Sequence, residues 1–274
     1  LWGFCGGCTR SSAMRIVSLA SGSSGNCTLI VSENARLLID VGLSKRQILQ
    51  RLEKLLGPRP RIDGILITHE HTDHISGLGQ VARAFQCPIY ASEGTAPLLE
   101  PELSSSEKLL AFTPNQIFQI RDLFIEPFPI PHDAAQPCGF AIAEESLFAS
   151  FNARIAVATD LGVVTEEIRQ RLSECDLVML ESNHDIEMLL NGWYPEDLKR
   201  RILSDVGHLS NEAAAQTLQY LAERGRLRTA VLMHLSKNNN RPKLALETVQ
   251  RHLNGTEVAV AIAPRDRMSA IFTV

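Results

Sequence analysis

The chain has 274 residues, with 27 Lys and Arg against 31 Asp and Glu and a formal net charge of −4. Hydrophobic residues make up 45% and charged residues 21%, the balance of a globular protein, which excludes a disordered, collagenous or coiled-coil chain. The slight acidity argues against coating nucleic acid by bulk charge, and no apolar stretch reaches the roughly 18–20 residues of a membrane-spanning helix.

Residues 1–13 lack the basic-then-apolar order of a secretory signal and are expected to be a disordered leader or start-site artefact. Strand-like runs follow at 16–20, 27–31, 36–39, 64–68, 89–91, 123–128 and 139–143. More lie at 155–159, 177–180, 229–233, 257–261 and 268–274. Helical spacing puts Ile75, Leu78, Ala82 and Phe85 on one face, and likewise Ala214, Leu218, Leu221 and Ala222, with Ser210 as N-cap. Segments 162–171 and 243–253 are further helix candidates. Residues 14–274 are expected to form one domain, two packed sheets with helices outside. The six cysteines are scattered, which suggests thiols in a reducing cytoplasm rather than a disulfide framework. Cys5 and Cys8 form a CxxC, but no second pair stands nearby to complete a zinc knuckle.

Function is signalled by what ends the apolar runs. LLI is followed by Asp40, ILIT by His69, FPIP by His132, AVAT by Asp160, LVML by Glu181 and VLM by His234. Strand ends that converge on one edge carry loops free to hold function on a rigid frame. Capping and turns account for Asp40 and Asp160, but poorly for three histidines. Residues 69–74 read His-Glu-His-Thr-Asp-His. His69 and His71 alternate in an extended turn and can face one cation, while Asp73 and His74, at the start of a helix, can reach a second. Imidazole and carboxylate suit zinc, with manganese or iron admitted as carboxylates accumulate.

This motif, with Asp40 before it and His132, Asp160 and His234 after it, resembles that of the metallo-β-lactamase superfamily across residues 14–274. The resemblance implies an α/β fold, the αββα four-layer sandwich of two mixed sheets, holding two divalent ions, Zn2+ or Mn2+. It implies that His69, His71 and His132 bind one ion and Asp73, His74 and His234 the other. Asp160 and a hydroxide would bridge them, and Asp40 would support the ligands from behind.

The superfamily hosts many reactions. Its flavo-diiron branch typically has Glu where His71 stands, so hydrolysis is expected. Gly207-His208-Leu209-Ser210 and Leu180-Glu181-Ser182-Asn183 look like the His and Glu motifs of RNase Z-like phosphodiesterases, in which the His meets the scissile phosphate and the Glu orients it. The runs 19–26, 181–185, 204–211 and 234–237 together resemble the bacterial YycJ/WalJ (VicX) family, regarded as exonuclease-like on DNA 5′ ends. The 48 residues from Asp160 to His208 leave no room for the clamp domain of the RNase J-like branch.

The expected function is therefore phosphodiester hydrolysis by a metal-bridged hydroxide, on nucleic acid, DNA more than RNA. Asp73, His208 and Glu181 are the catalytic candidates; Ser23, Ser24, Asn26, His208 and Lys237 are candidate phosphate contacts. Basic residues gather at 199–201, 224–228 and 237–243, with Trp193 and Tyr194 before the first cluster, although such runs are more often solvated helix faces. The alternatives are an RNA-processing phosphodiesterase, a glyoxalase- or lactonase-type hydrolase with no polyanion groove, and a metal-bearing protein that only binds a partner.

Overall fold

A computed structural model describes residues 13–144 and 153–274. The first half runs β1 (Arg15–Ala20), β2 (Cys27–Val31), β3 (Arg36–Ile39), α1 (Lys45–Leu56), β4 (Gly64–Leu66), α2 (Thr72–Ile75), α3 (Leu78–Phe85), β5 (Ile89–Ser92), α4 (Ala96–Leu99) and β6 (Leu109–Phe112). Then come β7 (Phe118–Ile120), β8 (Leu123–Pro129), β9 (Cys138–Glu144), β10 (Arg154–Ala158), α5 (Glu166–Ser173), β11 (Leu177–Glu181), α6 (Ile186–Leu190) and α7 (Glu196–Ile202). The chain ends with α8 (Asn211–Glu223), β12 (Thr229–Met233), α9 (Pro242–His252), β13 (Ala259–Ile262) and β14 (Phe272–Thr273).

The strands form two seven-stranded sheets, ordered β14-β1-β2-β3-β4-β5-β6 and β13-β12-β11-β10-β9-β8-β7. Both are mixed: β1, β2 and β3 pair antiparallel and β3 to β6 parallel, while β7 to β10 pair antiparallel and β10 to β13 parallel. Side chains alternate across each strand, so the inner strands of both sheets serve two cores. Ile16, Leu37, Phe140, Val157, Met179 and Val231 meet between the sheets. Val17, Leu38 and Ile65 face outward to Ile48 and Leu52 of α1 and Val81 of α3. Ala156, Val178 and Leu180 face the other way, to Ile168 of α5, Leu218 of α8 and Val249 of α9. Two sheets between two helical layers are the expected sandwich.

Several expected elements are shorter than the sequence pattern. The run at 268–274 yields only Phe272–Thr273, and the one at 64–68 stops at Leu66. Helix α5 begins at Glu166, because Thr165 caps it by accepting from the Ile168 N–H. Two strands were not anticipated: β6, behind a polar Ser-Ser-Ser-Glu-Lys run, and β7, whose three residues are too few for a period to show. No helix among the described residues is long and apolar enough to cross a membrane.

Candidate metal centre

The polar residues that end the strands meet at one edge of the sandwich. Three of them turn the chain there by adopting left-handed backbone: Asp40 (φ 58°) after β3, Asp160 (φ 58°) after β10 and His234 (φ 54°) after β12. Such a conformation costs a non-glycine residue about 1–2 kcal/mol, least for Asp, so three instances at one edge mark a place where direction outweighs local comfort. The two sheets are tied there by the His234 N–H, which donates to Ser21 Oγ at 2.7 Å.

Helix α2, which carries Asp73 and His74, is docked in part by its backbone carbonyls. The Val41 N–H donates to the His74 carbonyl and the Asn26 N–H to the Asp73 carbonyl, both at 2.8 Å. This approach requires glycine at 42, where a Cβ would lie 1.6 Å from the Asp73 carbonyl oxygen.

Four histidine rings are oriented through one nitrogen. His74 Nδ1 donates to Asp40 Oδ2 at 2.7 Å. His69 Nδ1 donates at 3.0 Å to Thr68 Oγ1, whose own hydrogen goes to Asp40 Oδ2 at 2.9 Å. His132 Nδ1 faces the carbonyls of Val206 and Gly207 at 3.2 Å. His234 Nδ1 donates to Glu181 Oε1 at 2.8 Å. The opposite Nε2 atoms of His69, His132 and His234 are buried with no hydrogen-bond partner among the described residues. Buried bare nitrogens are costly, and an N–H fixed on a carboxylate or carbonyl is how metal-binding imidazoles are usually held.

The facing atoms cluster at metal-binding separations. His69, His71 and His132 form one group and Asp73, His74 and His234 a second, while Asp160 lies with His69 and His74 between them. A further group joins Asp160, Glu181, His208 and His234. His71 and His132 rings lie 4.6 and 5.0 Å from that of His69. Nitrogen and carboxylate donors of this kind fit divalent zinc or manganese. Burial opposes charge on His74, but the Asp40 and Asp160 carboxylates prevail and raise its pKa to about 10. His234 is likewise driven up, against its burial, by the Asp160 carboxylate, by Asp73 nearby and by its bond to Glu181. His69, buried among other imidazoles, is pushed well down.

Glu181 is wholly buried. Its Oε1 accepts from His208 Nδ1 at 2.9 Å as well as from His234, and Oε2 accepts from the Leu161 N–H at 2.9 Å and Leu209 N–H at 3.3 Å. Burial alone would raise its pKa; the histidines and hydrogen bonds bring it to about 2. Burial in turn disfavours the His208 imidazolium, yet Glu181 wins and its pKa rises. The sequence suggested that Glu181 steadies His208; that it also holds His234 was not foreseen.

Other expected contacts fall elsewhere. The Asn26 side chain accepts from the Gly22 N–H at 2.7 Å, and its amide lies 3.3 Å from Asp73 Oδ2 and 3.0 Å from His74 Nε2. It positions the cluster and is not exposed to meet a phosphate. Lys237 and Ser24 lie on the surface, outside the lining of the cavity beside the cluster, whereas Ser23 and His208 line it. The basic run at 199–201 is not one polyanion grip: Lys199 is buried, with Nζ on the Leu190 carbonyl at 2.7 Å, Arg200 pairs with Asp197 and Arg201 with Asp133. Nothing in the sequence singled out Asp133, whose Oδ1 lies 3.4 Å from His132 Nε2. His252 is spent on Thr248 and Glu212.

Residues 35–235 match the family described as "Beta-lactamase superfamily domain". The chain belongs to that superfamily. It is 36% identical over 237 residues to a Bacillus anthracis protein named exodeoxyribonuclease YycJ, covering 86% of this chain and 87% of that one. It is 35% identical over 249 residues to exodeoxyribonuclease WalJ of Streptococcus pneumoniae, covering 89% and 90%. Among solved structures the fold superposes on the metallo-β-lactamase fold protein YhfI of Bacillus subtilis with a TM-score of 0.72 at 17% identity, covering 96% of this chain and all of that one. As a member of this superfamily the chain is a metal-dependent hydrolase, and the fold implies divalent metal ions.

Proposed function

We propose that this protein is a two-metal phosphodiesterase that degrades DNA from a 5′ end. The observation that carries the reading is the Glu181–His208 pair beside two ligand groups. His208 has its Nδ1 held by a buried carboxylate, so its Nε2 is available to a phosphate at the cluster. The 35–36% identity to two exodeoxyribonucleases over most of the chain favours DNA over RNA.

His69, His71 and His132 would hold one ion, and Asp73, His74 and His234 the other, with Asp160 shared. The donor set suits Zn2+ or Mn2+. When bound, such ions act as Lewis acids on phosphoryl oxygen and bring the pKa of water toward about 7. The remaining work falls to side chains. Asp73 is a quarter exposed where Asp160 is nearly closed off, so Asp73 takes the proton of the attacking water. The water oxygen forms the new P–O bond in line as the bond to the leaving sugar oxygen breaks. His208, whose imidazolium Glu181 favours, steadies the phosphoryl oxygens and passes its proton to the leaving oxygen. The four described free cysteines fit a reducing, cytoplasmic setting.

The test is linear DNA with Mn2+ and two variants. His208→Ala is expected to lose about 10²–10⁴ in rate while keeping its metal content. Asp73→Ala is expected to lose both. Undiminished metal-dependent cleavage by either variant contradicts the assignment.

A further inference from the structure

The cavity beside the cluster, about 220 Å³, is lined by Leu198, Arg201 and Ile202 of α7 and by the turns at Ser23 and Ser236. Arg201 is already paired with Asp133, which lines the cavity too, so α7 offers a polyanion a neutralised cation. Unneutralised cations stand instead at the rim, beside the two turns.

Ser23 and Ser24 form the tip of a turn that the Gly25 N–H closes on the Gly22 carbonyl at 2.8 Å. The turn is held at the cluster from both ends: Asn26 accepts from the Gly22 N–H, and Ser21 accepts from the His234 N–H, each at 2.7 Å. Both serines are exposed. Neither their N–H groups nor their hydroxyls have a hydrogen-bond partner among the described residues.

Arg265 lies over this turn, and nothing in the sequence singled it out. A Cβ at Gly22 would stand 3.2 Å from Arg265 Cγ and 3.5 Å from Cδ, so the aliphatic stem rests on the glycine. The segment is fixed from behind. The Ser18 N–H donates to Ser269 Oγ at 3.1 Å and the Ser269 N–H to the Ser18 carbonyl at 2.9 Å. Arg51 donates at 2.8 Å to the carbonyls of both Leu19 and Asp266. A packed stem leaves the charged head to solvent, and the Arg265 guanidinium has no hydrogen bond or ion pair among the described residues. Lys237 is exposed and equally unpaired, on the turn that the Asn239 N–H closes on Ser236 Oγ at 3.2 Å. A guanidinium fork, an ammonium and free N–H and hydroxyl donors are the groups that recognise a phosphodiester.

We propose that the Ser23–Ser24 turn, with Arg265 and Lys237, grips a backbone phosphate of the DNA strand next to the one being cut. The assignment rests on the phosphodiesterase reading and deepens it. His208 and the ligand groups meet the scissile phosphate; the rim takes its neighbour, because Ser24 and Lys237 lie outside the cavity. Arg265 donates to the non-bridging oxygens of that neighbour and Lys237 adds a second charge. The contact carries no sequence information; it sets the register of the strand over the cluster.

The experiment follows cleavage of the first linkage of a 5′-phosphorylated DNA strand by the Mn2+-loaded full chain, across a range of salt. Arg265→Ala is expected to raise KM about tenfold at about 0.1 M salt, with kcat within about twofold, and to reduce the salt slope of kcat/KM by about 0.7–0.9, the share of one phosphate. Arg265→Lys should restore most of the loss. Strands with a neutral methylphosphonate at the second or third linkage supply the counterpart. At the gripped linkage the wild-type protein loses what the variant lost, and the two become equal. Unchanged KM and salt slope in Arg265→Ala, or a defect that persists at both methylphosphonate positions, overturns the proposal and leaves the nuclease reading standing. A defect that vanishes only when the 5′-phosphate is removed also overturns it, since the rim would then read the strand end. No cleavage of any DNA by the wild-type protein overturns the phosphodiesterase reading and this contact with it.

Discussion

Replacing Glu181 by Gln isolates the charge of the buried carboxylate with little change of shape. Its oxygens accept four hydrogen bonds, from two imidazoles and two backbone amides. A glutamine has one acceptor oxygen; turned toward His208 and His234, it points its NH₂ at the Leu161 and Leu209 N–H groups. Two buried donors then lose their acceptor, at about 1–3 kcal/mol each, or roughly 2–6 kcal/mol in sum. The pKa gives a second route. A fall from 4.5 to about 2 is worth roughly 3 kcal/mol, present above pH 4.5 and lost as pH drops through about 2. The variant should therefore lose thermal stability at neutral pH and show a flatter acid limb than wild type. His234 loses its charged anchor, so affinity for the metal held with Asp73 and His74 should fall about 10–100-fold. Thermal unfolding between pH 2 and 7 reads the first effect and chelator competition the second. A variant with wild-type acid limb and wild-type metal affinity would refute the role given to Glu181.

Metal binding should expel protons. In the metal-free chain His74, with a pKa of about 10, and His234, raised above 6.5, both carry a proton at neutral pH. Affinity should therefore climb from pH 6 to 9, with proton release visible in buffers of differing ionisation heat; pH-independent affinity contradicts it. The raised His74 pKa also stabilises the metal-free fold fully below 6.5, a contribution that fades as pH rises through about 10 and that Asp40→Asn should remove in pH-dependent unfolding. Gly42→Ala should displace α2 and abolish tight metal binding, since its methyl would sit 1.6 Å from the Asp73 carbonyl oxygen; retained binding by chelator competition refutes that docking. Phe140→Ala, between the sheets, should cost about 3–5 kcal/mol in denaturant unfolding without changing the metal ligands.

The cluster was legible because chemistry constrains residue type. Histidines at strand ends have little structural excuse, and the spacing from His69 to His74 suits two cations. The layered core followed from period-two alternation, as in Ile16 and Val17 facing opposite cores. What escaped notice depends on direction rather than identity. Left-handed backbone at His234 leaves no trace in residue type, unlike a glycine. Asn26 reads as a loop residue until its amide is seen on Asp73 and His74. Lys237 stands three residues past His234, yet the chain carries it outward. The cavity wall was hidden because α7 is short, and Leu198 and Ile202 read as any amphipathic pair until α7 is placed beside His208.

The central claim is that the metal cluster hydrolyses DNA from its 5′ end. Duplex DNA labelled at either the 5′ or the 3′ terminus, digested with Mn2+ beside an Asp73→Ala control, tests it directly. The account predicts immediate release of the 5′ label as a mononucleotide, a stepwise-shortened 3′-labelled strand, and no digestion by the variant. First loss of the 3′ label, or internal cuts that leave both ends intact, would contradict it.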